Sequence, residues 1–276
     1  MRVLIAGCGY VGSALAARLV RSGAVVWGGR RSSHGLPPGV LPWSLDLTEP
    51  NLRVPPEVTH LVFCAAPDES SEDAYRRVYL DGFRNILGAL LQDRAPLERL
   101  IFVSSTSVFA EQSGGAVDED SPVVTSGKGA LLVEAERLAL AHPGGVVARL
   151  AGIYGPGRDR LIRMIREGTA RRSYPSPFGN RIHRDDAAGM IEHLLRLSFA
   201  ERCYLGVDDA PVPLDEVYLW LADRLGVPPP PVSNEPDARG RGALKRCLNA
   251  RLRASGYRFL YPSYREGYGS LLASTA

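Results

Sequence analysis

A glycine pattern, G-x-G-x-x-G, occupies residues 7–12, between an apolar run and a helical pattern. In such a turn Gly7 permits the tight bend, Gly9 lets backbone approach a pyrophosphate, and Gly12 lets the helix pack closely on the strand. The N-terminus of the following helix presents free N–H groups and the positive end of its dipole to an anion. The pattern therefore predicts a dinucleotide site at Gly7, Gly9, Tyr10, Val11 and Gly12; the alternative is an ordinary glycine-rich turn.

The end of the second apolar run carries positive rather than negative charge. The run ends in the letters GGRRSS, residues 28–33. An acidic residue at this point would bind the ribose 2′-hydroxyl of NAD. Arg30 and Arg31 instead offer charge and fork geometry to a 2′-phosphate, with Ser32 and Ser33 as further donors. We therefore expect NADP(H) in preference to NAD(H), against the alternative that the two arginines only cover a surface turn.

Hydroxyl side chains, SSTS at residues 104–107, follow another apolar run. Ligands of open α/β sheets bind outside the carboxyl ends of the strands, so these hydroxyls stand where a ligand would lie. Ser105 and Thr106 are therefore candidates for contact with a substrate or a nicotinamide. No evident base stands near Ser105 in the sequence, which does not favour that serine as an unaided catalyst.

The elements that position these residues alternate along the first half of the chain. The patterns predict strands at 2–6, 24–29, 41–46, 59–66, 99–105 and 145–152, and helices at 11–23, 74–92 and 126–142. Such alternation gives a parallel sheet covered on both faces. We expect an α/β fold with a Rossmann-type doubly wound parallel sheet, an NADP(H)-binding domain at 1–152, and a small C-terminal α/β substrate-binding part at 153–276, interleaved with the end of the sheet. The Pro- and Gly-rich stretch 227–242 is predicted to be an extended loop.

Composition excludes several classes of protein. The chain has 276 residues and a net charge of +3, too small an excess to indicate a nucleic-acid partner. Its four cysteines show neither C-x-x-C nor a histidine spacing for zinc, so we expect no metal and a reducing compartment. The first apolar run is too short for a signal peptide, and no run reaches the ~18 residues that cross a membrane. We therefore expect a soluble, cytoplasmic protein without a membrane partner.

Further motifs along the chain are similar to those of one enzyme family. They are AGCGYVG at 6–12, Asp46-Leu47, FCAAP at 63–67, FVSSTSVFAE at 102–111, RLAGIYGPGR at 149–158 and NRIHRDDAAGMI at 180–191. From residue 1 to about 268 the chain resembles the extended and atypical short-chain dehydrogenases/reductases, the NAD-dependent epimerase/dehydratase superfamily. The resemblance implies that Asp46 and Leu47 contact the adenine. It also implies that the backbone of Cys64, Ala65 and Ala66 passes the cofactor.

The resemblance implies a catalytic trio of serine or threonine, tyrosine and lysine, of which Ser105 keeps the first. Alignment on Glu134, the acidic residue four after the family's lysine, puts Ser126 at the tyrosine and Ala130 at the lysine. In the family the tyrosine passes a proton while the nicotinamide moves hydride, and the lysine lowers the phenol pKa from ~10. Serine and alanine do not supply this chemistry, so carbonyl reduction through Ser126 is not expected. The chain is most similar to a bacterial branch that lacks the tyrosine–lysine pair.

Other side chains could substitute for the missing pair. Lys128 is two residues past Ser126, which on a helix is a rotation of roughly 200°, so we expect a solvated lysine that faces away. Tyr154 stands on the segment that the resemblance places beside the nicotinamide and could donate a proton; the alternative is packing. His183 stands in the substrate half and titrates near neutrality, with packing at a helix start as its alternative. We therefore hypothesise a catalytic role for Ser105 and Tyr154, and contact with the substrate for Ser105, Thr106, Ser126, Tyr154 and His183.

Three functions remain open at this point. The first is an NADP(H)-dependent oxidoreductase of an unidentified small metabolite, with proton transfer by a group other than the usual tyrosine. The second is a non-catalytic NADP(H)-binding redox sensor or regulator, favoured by the missing pair. The third is a sugar-nucleotide epimerase or dehydratase, against which the missing pair and the short second half argue. By analogy with the superfamily, the chain could form a homodimer through the helices predicted at 74–92 and 126–142.

Overall fold

The computed structural model describes residues 1–32, 34–233 and 244–274. The chain divides into two compact units. Unit 1 comprises residues 1–108, 123–149 and 187–204, and unit 2 comprises 109–122, 150–186 and 205–276. Ser33 and residues 234–242 of the expected loop lie outside the described residues, and the functional boundary expected at 152 stays a prediction.

A seven-stranded parallel sheet organises the fold. Its order is β3-β2-β1-β4-β5-β7-β10, the Rossmann order 3-2-1-4-5-6 with one strand added. The order reverses between β1 and β4, and that edge is where ligands of such sheets bind. The predicted Rossmann-type α/β fold is therefore confirmed. The strands are β1 (Arg2–Ala6), β2 (Val25–Arg30), β3 (Leu41–Ser44), β4 (His60–Phe63), β5 (Arg99–Ser105), β7 (Gly145–Leu150) and β10 (Cys203–Gly206).

Helices of unit 1 cover both faces of the sheet. On one face, α1 (Tyr10–Arg21) and α6 (Arg184–Arg196) are joined by an ion pair of 2.9 Å between Arg18 and Glu192. On the other, α3 (Phe83–Gln92) and α4 (Gly127–Ala141) form an apolar core with alternate residues of the central strands. Phe63 and Phe102 stack in that core with ring centroids 5.5 Å apart.

The helix expected at 74–92 is interrupted. A short helix, α2 (Glu72–Tyr75), is followed by a π-helical segment (Arg76–Gly82) and then by α3. Single π turns inside α-helices often occur at functional sites. The apolar pattern predicted a helix here but not the local change from i→i−4 to i→i−5 hydrogen bonding.

Unit 2 contains two parallel two-stranded pairs and its own core. The strand predicted at 145–152 ends at Leu150, and a separate strand, β8 (Gly152–Tyr154), pairs with β9 (Arg181–His183). The second pair joins β6 (Ala116–Val117) to β11 (Arg246–Cys247). Aromatic and aliphatic residues of this unit pack together with α5 (Arg160–Arg166), α7 (Leu214–Leu225) and α9 (Tyr264–Ala273), while α8 spans Ala250–Ala254.

Candidate functional site

The glycine loop crosses the carboxyl end of β1. Gly7 has a φ of +88°, and an added Cβ would lie 2.3 Å from the backbone nitrogen of Ala65. A Cβ at Gly12 would lie 2.8 Å from the carbonyl oxygen of Gly7 and 3.1 Å from the side chain of Ile5. Side chains at these two positions would therefore collide with the protein itself, as the sequence analysis expected for a tight turn and a close helix.

Gly9 differs from its two neighbours in the motif. Among the described residues, a Cβ added there would have only the carbonyl oxygen of Gly7 within 4 Å, at 3.9 Å. The open side of Gly9 is therefore a cradle that a methyl group would fill, and the protein's own packing does not require glycine. Helix α1 begins at Tyr10, and its first turn holds no acidic side chain that would repel an anion. This geometry fits a pyrophosphate.

The segment after β3 lies against the helix that follows the π-helical segment. A Cβ at Gly82 would lie 2.9 Å from Cβ of Leu47, and Asn85 donates a hydrogen bond of 3.0 Å to the Leu47 carbonyl. Asp46 accepts hydrogen bonds from the backbone and hydroxyl of Thr48, at 2.9 and 2.7 Å, and these keep the pKa of the carboxyl below its usual value. The Asp46–Leu47 pair is thus fixed in place, and its contact with adenine stays a prediction.

The residues after β4 lie beside the glycine loop. Cys64 donates its backbone N–H to the Ala6 carbonyl at 2.8 Å, which continues the pairing of β4 with β1. Burial raises the pKa of the Cys64 thiol to about 12, so this thiol is not a reactive nucleophile. Ala65 is half-buried and Ala66 is exposed. Small side chains here leave the backbone accessible.

The two arginines at the end of β2 have different partners. The Arg30 guanidinium lies 3.4 Å from the carbonyl oxygen of Cys8, inside the glycine loop. Arg31 is exposed and pairs with Asp68 at 2.7 Å. Ser32 is exposed and its hydroxyl lies 3.0 Å from Nδ1 of His34. Asp68 stands 37 residues away from Arg31 along the chain, and no sequence motif pointed to it.

The hydroxyl cluster at the end of β5 splits into inward and outward groups. Ser104 is buried and donates a hydrogen bond of 2.6 Å to Glu136. Ser105 is half-buried, and its oxygen accepts the N–H of Ser107 at 3.1 Å, which leaves its proton available to a ligand. Thr106 is buried. Ser107 is exposed, and Ser105 is the accessible member whose hydroxyl oxygen is held by a hydrogen bond.

The start of α4 explains what replaces the tyrosine–lysine pair. Ser126 is the exposed N-cap residue, and its hydroxyl makes no capping hydrogen bond. Ala130 is half-buried in the first turns of the helix. Lys128 was expected to be a solvated lysine, but it has partners within the protein. Its ammonium donates to the carbonyl and hydroxyl oxygens of Ser70, both at 2.8 Å, and lies 5.7 Å from the Tyr75 ring centroid.

Tyr154 and His183 come together in unit 2, on the paired strands β8 and β9. Their ring centroids are 5.3 Å apart, and the Tyr154 ring also lies 4.5 Å from that of Tyr268. Both side chains are buried, and burial raises the pKa of Tyr154 well above its usual range and lowers that of His183. The Tyr154 hydroxyl fits against Gly267, where a Cβ would lie 1.8 Å away. This geometry favours packing, and the proton-donor and substrate roles stay predictions.

Tyr79, in the π-helical segment, is a further candidate functional residue that the sequence motifs did not point to. The Tyr79 ring lies 6.2 Å from that of Phe102 and 5.2 Å from that of Tyr75. Burial, with Tyr75 and Cys64 as its neighbours, raises the pKa of the Tyr79 phenol. The signal that could have found it is the pair of tyrosines at i and i+4 on a helix between two strand ends.

The described part of the chain contains neither a cluster of metal-ligand side chains nor a helix that could span a membrane. Within residues 1–32, 34–233 and 244–274, no group of three or more His, Cys, Asp or Glu side chains is arranged to hold a metal ion. In that same part of the chain, no helix has the length and apolar character needed to cross a bilayer.

Known proteins resemble this chain over nearly its whole length. A solved structure from Methylobacillus flagellatus, described as an NAD-dependent epimerase/dehydratase, is 37% identical, with a TM-score of 0.79 and 99% and 98% of the two chains covered. Protein YeeZ of Escherichia coli K12 is 28% identical over 95% of this chain and 96% of its own. Human epimerase family protein SDR39U1, solved with NADPH, shares the fold at 22% identity, a TM-score of 0.80 and 99% coverage of each chain.

The family model agrees with the motifs described above. The model of the NAD dependent epimerase/dehydratase family matches residues 3–172, which is more than half of the chain and includes the glycine loop, the β4 and β5 ends and Tyr154. The resemblance expected from the sequence is therefore confirmed. The chain belongs to the NAD dependent epimerase/dehydratase family.

Proposed function

We propose that this protein is an NADP(H)-dependent oxidoreductase that acts on a small metabolite. One observation carries the cofactor assignment: the protein's own packing closes the space around Gly7 and Gly12 but leaves it open at Gly9. An open glycine at a helix N-terminus suits close approach of a pyrophosphate. The family and the NADPH in the human structure support the same proposal.

Each part of unit 1 has a role in this proposal. When bound, the nicotinamide would supply or accept a hydride. The glycine loop and α1 would hold the pyrophosphate, Asp46 and Leu47 would contact the adenine, and Arg31, with Arg30 and Ser32, would bind a 2′-phosphate. Arg31 supports the NADP(H) preference because its exposed guanidinium can form a bidentate contact with a phosphate.

Proton transfer is the step in which this chain differs from its family's usual pattern. The Ser105 hydroxyl is half-buried with its proton free to donate, so we propose that Ser105 orients the substrate oxygen or nitrogen. A serine hydroxyl is a weak acid, so the proton itself comes from water or arrives on the substrate. A protonated imine meets this condition better than a ketone.

Binding is tested by titrating NADPH and NADH against nicotinamide fluorescence. We expect micromolar binding of NADPH and weaker binding of NADH; no binding of either dinucleotide contradicts the proposal. Turnover is tested by NADPH oxidation across a panel of carbonyls and imines. We expect Ser105→Ala to lower any turnover at least tenfold, and unchanged rates in both Ser105→Ala and Tyr154→Phe would remove both site assignments.

A second candidate, a non-catalytic NADP(H)-binding regulator, is favoured by one observation at α4. Lys128, the nearest lysine to the aligned position, holds Ser70 rather than a catalytic group. The two candidates differ in hydride transfer. The test uses NADPH labelled with deuterium at C4 of the nicotinamide. If the labelled NADPH binds but transfers no deuterium to any carbonyl or imine of the panel, the result supports the regulator and contradicts the enzyme.

The quaternary state and location complete the proposal. By analogy with the family, we propose a homodimer that pairs α3 and α4 with the same helices of a second copy, in the cytoplasm. Analytical ultracentrifugation at micromolar concentration checks the dimer, and a single monomeric species at all concentrations would contradict it.

A further inference from the structure

An ion pair bridges the carboxyl edge of the sheet on either side of the glycine loop. Arg31 directly follows β2, and Asp68 belongs to the segment that follows β4. Strand β1 lies between those two strands, which places their ends roughly 10 Å apart. The Arg31 guanidinium meets the Asp68 carboxylate at 2.7 Å, and both side chains are exposed, at 67% and 74%. The contact therefore spans the strand that carries the glycine loop.

The segment that carries Asp68 is itself held in place. We call residues 67–71 the β4–α2 segment. Two residues after Asp68, Ser70 accepts both hydrogen bonds of Lys128, at 2.8 Å each. Ser71 caps α2 by accepting the Ala74 N–H at 3.2 Å. Asp68 is therefore presented to Arg31 by an anchored segment.

In the Arg31–Asp68 pair, the Asp68 carboxylate occupies the Arg31 guanidinium, which is the group that would bind a 2′-phosphate. A guanidinium fork binds carboxylates and phosphates through the same N–H groups. Arg30 does not substitute freely, since its guanidinium points to the Cys8 carbonyl at 3.4 Å. Asp46 adds a second negative charge near Arg31, and the two carboxylates together raise the pKa of that arginine.

We propose that Asp68 is a specificity-determining residue, whose carboxylate competes with the cofactor 2′-phosphate for Arg31 and so weakens the preference for NADP(H) over NAD(H). This inference rests on the proposed dinucleotide function. NADP(H) has to displace Asp68 before its phosphate binds Arg31, whereas NAD(H), which has no 2′-phosphate, leaves the pair intact. The Lys128–Ser70 contact stays in place in both cases.

The test is the substitution Asp68→Asn, with the dissociation constants of NADPH and NADH measured in parallel by fluorescence titration. We expect NADPH binding to tighten by about two- to fivefold, the range that exposed ion pairs reach, and NADH binding to stay unchanged. In the Arg31→Ala background, Asp68→Asn is expected to have no effect on NADPH, because the competition has been removed.

Glu69→Gln is the matched control, since Glu69 is the exposed neighbour of Asp68 and its substitution removes the same charge from the same segment. An equal tightening in Glu69→Gln, or an unchanged ratio of NADH to NADPH dissociation constants in Asp68→Asn, would overturn the inference. Equal thermal midpoints of wild type and variants show that the segment stays folded. If wild type binds neither dinucleotide, the proposed function fails and the inference fails with it; if it binds NADH normally, only the specificity claim is at risk.

Discussion

At the scale of single residues, the three motif glycines do not serve one purpose. Gly7 is required by its φ of +88° and by the Ala65 backbone, and Gly12 is required by the Gly7 carbonyl. Gly9 has free space on the side where a Cβ would point. Stability and binding therefore depend on different members of one motif, and the two effects can be separated by mutation.

We expect Gly9→Ala to fold normally and to bind NADPH at least tenfold more weakly than wild type. Gly7→Ala should lose about 2 kcal/mol or more of unfolding free energy, because an L side chain at that φ is strained and its Cβ collides with backbone. Thermal unfolding followed by circular dichroism measures the stability of both variants. NADPH fluorescence titration measures their affinity for the cofactor. Wild-type NADPH affinity in folded Gly9→Ala would contradict the assignment of the pyrophosphate cradle.

The glycine loop could be predicted from sequence because its reasons are local. Gly12 packs against the carbonyl of Gly7, which is only five residues earlier, so the contact can be predicted from the short spacing of the two glycines. The partners of the cations could not be predicted in this way. Arg31 and Asp68 stand 37 residues apart, and Lys128 and Ser70 stand 58 apart, and no periodicity of the sequence connects them.

At the scale of elements, α4 is kept as a structural helix even though it lacks the usual catalytic pair. Its residues Leu131 and Leu132 are buried in the core of unit 1. Glu136 is buried and accepts hydrogen bonds from Ser104 at 2.6 Å and from Arg149 at 3.0 and 2.8 Å. It therefore joins α4 to β5, the strand that ends in the hydroxyl cluster, and to the neighbouring strand β7.

We expect Glu136→Gln to lower the free energy of unfolding by about 3 kcal/mol or more, because the substitution breaks the buried ion pair between Glu136 and Arg149. Glu134→Gln is the matched control on the same helix. Glu134 also pairs with an arginine, Arg84 at 2.8 Å, but both side chains are nearly half exposed, so we expect a loss of about 1 kcal/mol or less. Urea unfolding at pH 7 measures both variants, and equal losses would contradict the structural role of the buried pair.

The type and order of elements were more predictable than their internal details. The alternation of apolar runs and helical patterns indicated the sheet, because each buried parallel strand reads as a continuous apolar run. The π-helical segment and the break of the strand at Leu150 left no such signal. The π-helical segment packs against residues that are distant in sequence. Gly82, for example, lies so close to Leu47 that a Cβ added to Gly82 would be 2.9 Å from the Leu47 Cβ.

At the scale of the whole molecule, the chain passes repeatedly between its two units. Three separate segments build each unit, so neither corresponds to one continuous stretch of sequence. A shift in local composition can reveal a linker between two continuous domains. It does not reveal where the chain crosses between units that are each built from three separate segments. The core of unit 2 is notable for a buried carboxylate, Asp208, which is 1% exposed.

Asp208 makes the stability of the molecule depend on pH. Burial raises the pKa of this carboxyl to about 7, with Asp209 and Asp186 acting in the same direction and Arg181 opposing them. A raised folded-state pKa means that the fold favours the protonated form. This contribution to stability is complete below the unfolded-state pKa of ~4 and is lost as pH rises through about 7.

We therefore expect wild-type unfolding free energy to fall between pH 4.5 and pH 7 relative to Asp208→Asn, with a slope of up to about 1.4 kcal/mol per pH unit. Asparagine keeps the shape of the side chain and cannot ionise, so the difference between the two proteins isolates this one group. Asp223→Asn is the control, since Asp223 is an exposed aspartate on α7 of the same unit, and its profile should follow wild type. Urea unfolding across that range measures all three proteins. Parallel profiles for wild type and Asp208→Asn would show that Asp208 is ionised throughout, held charged by Arg181 against the effect of burial.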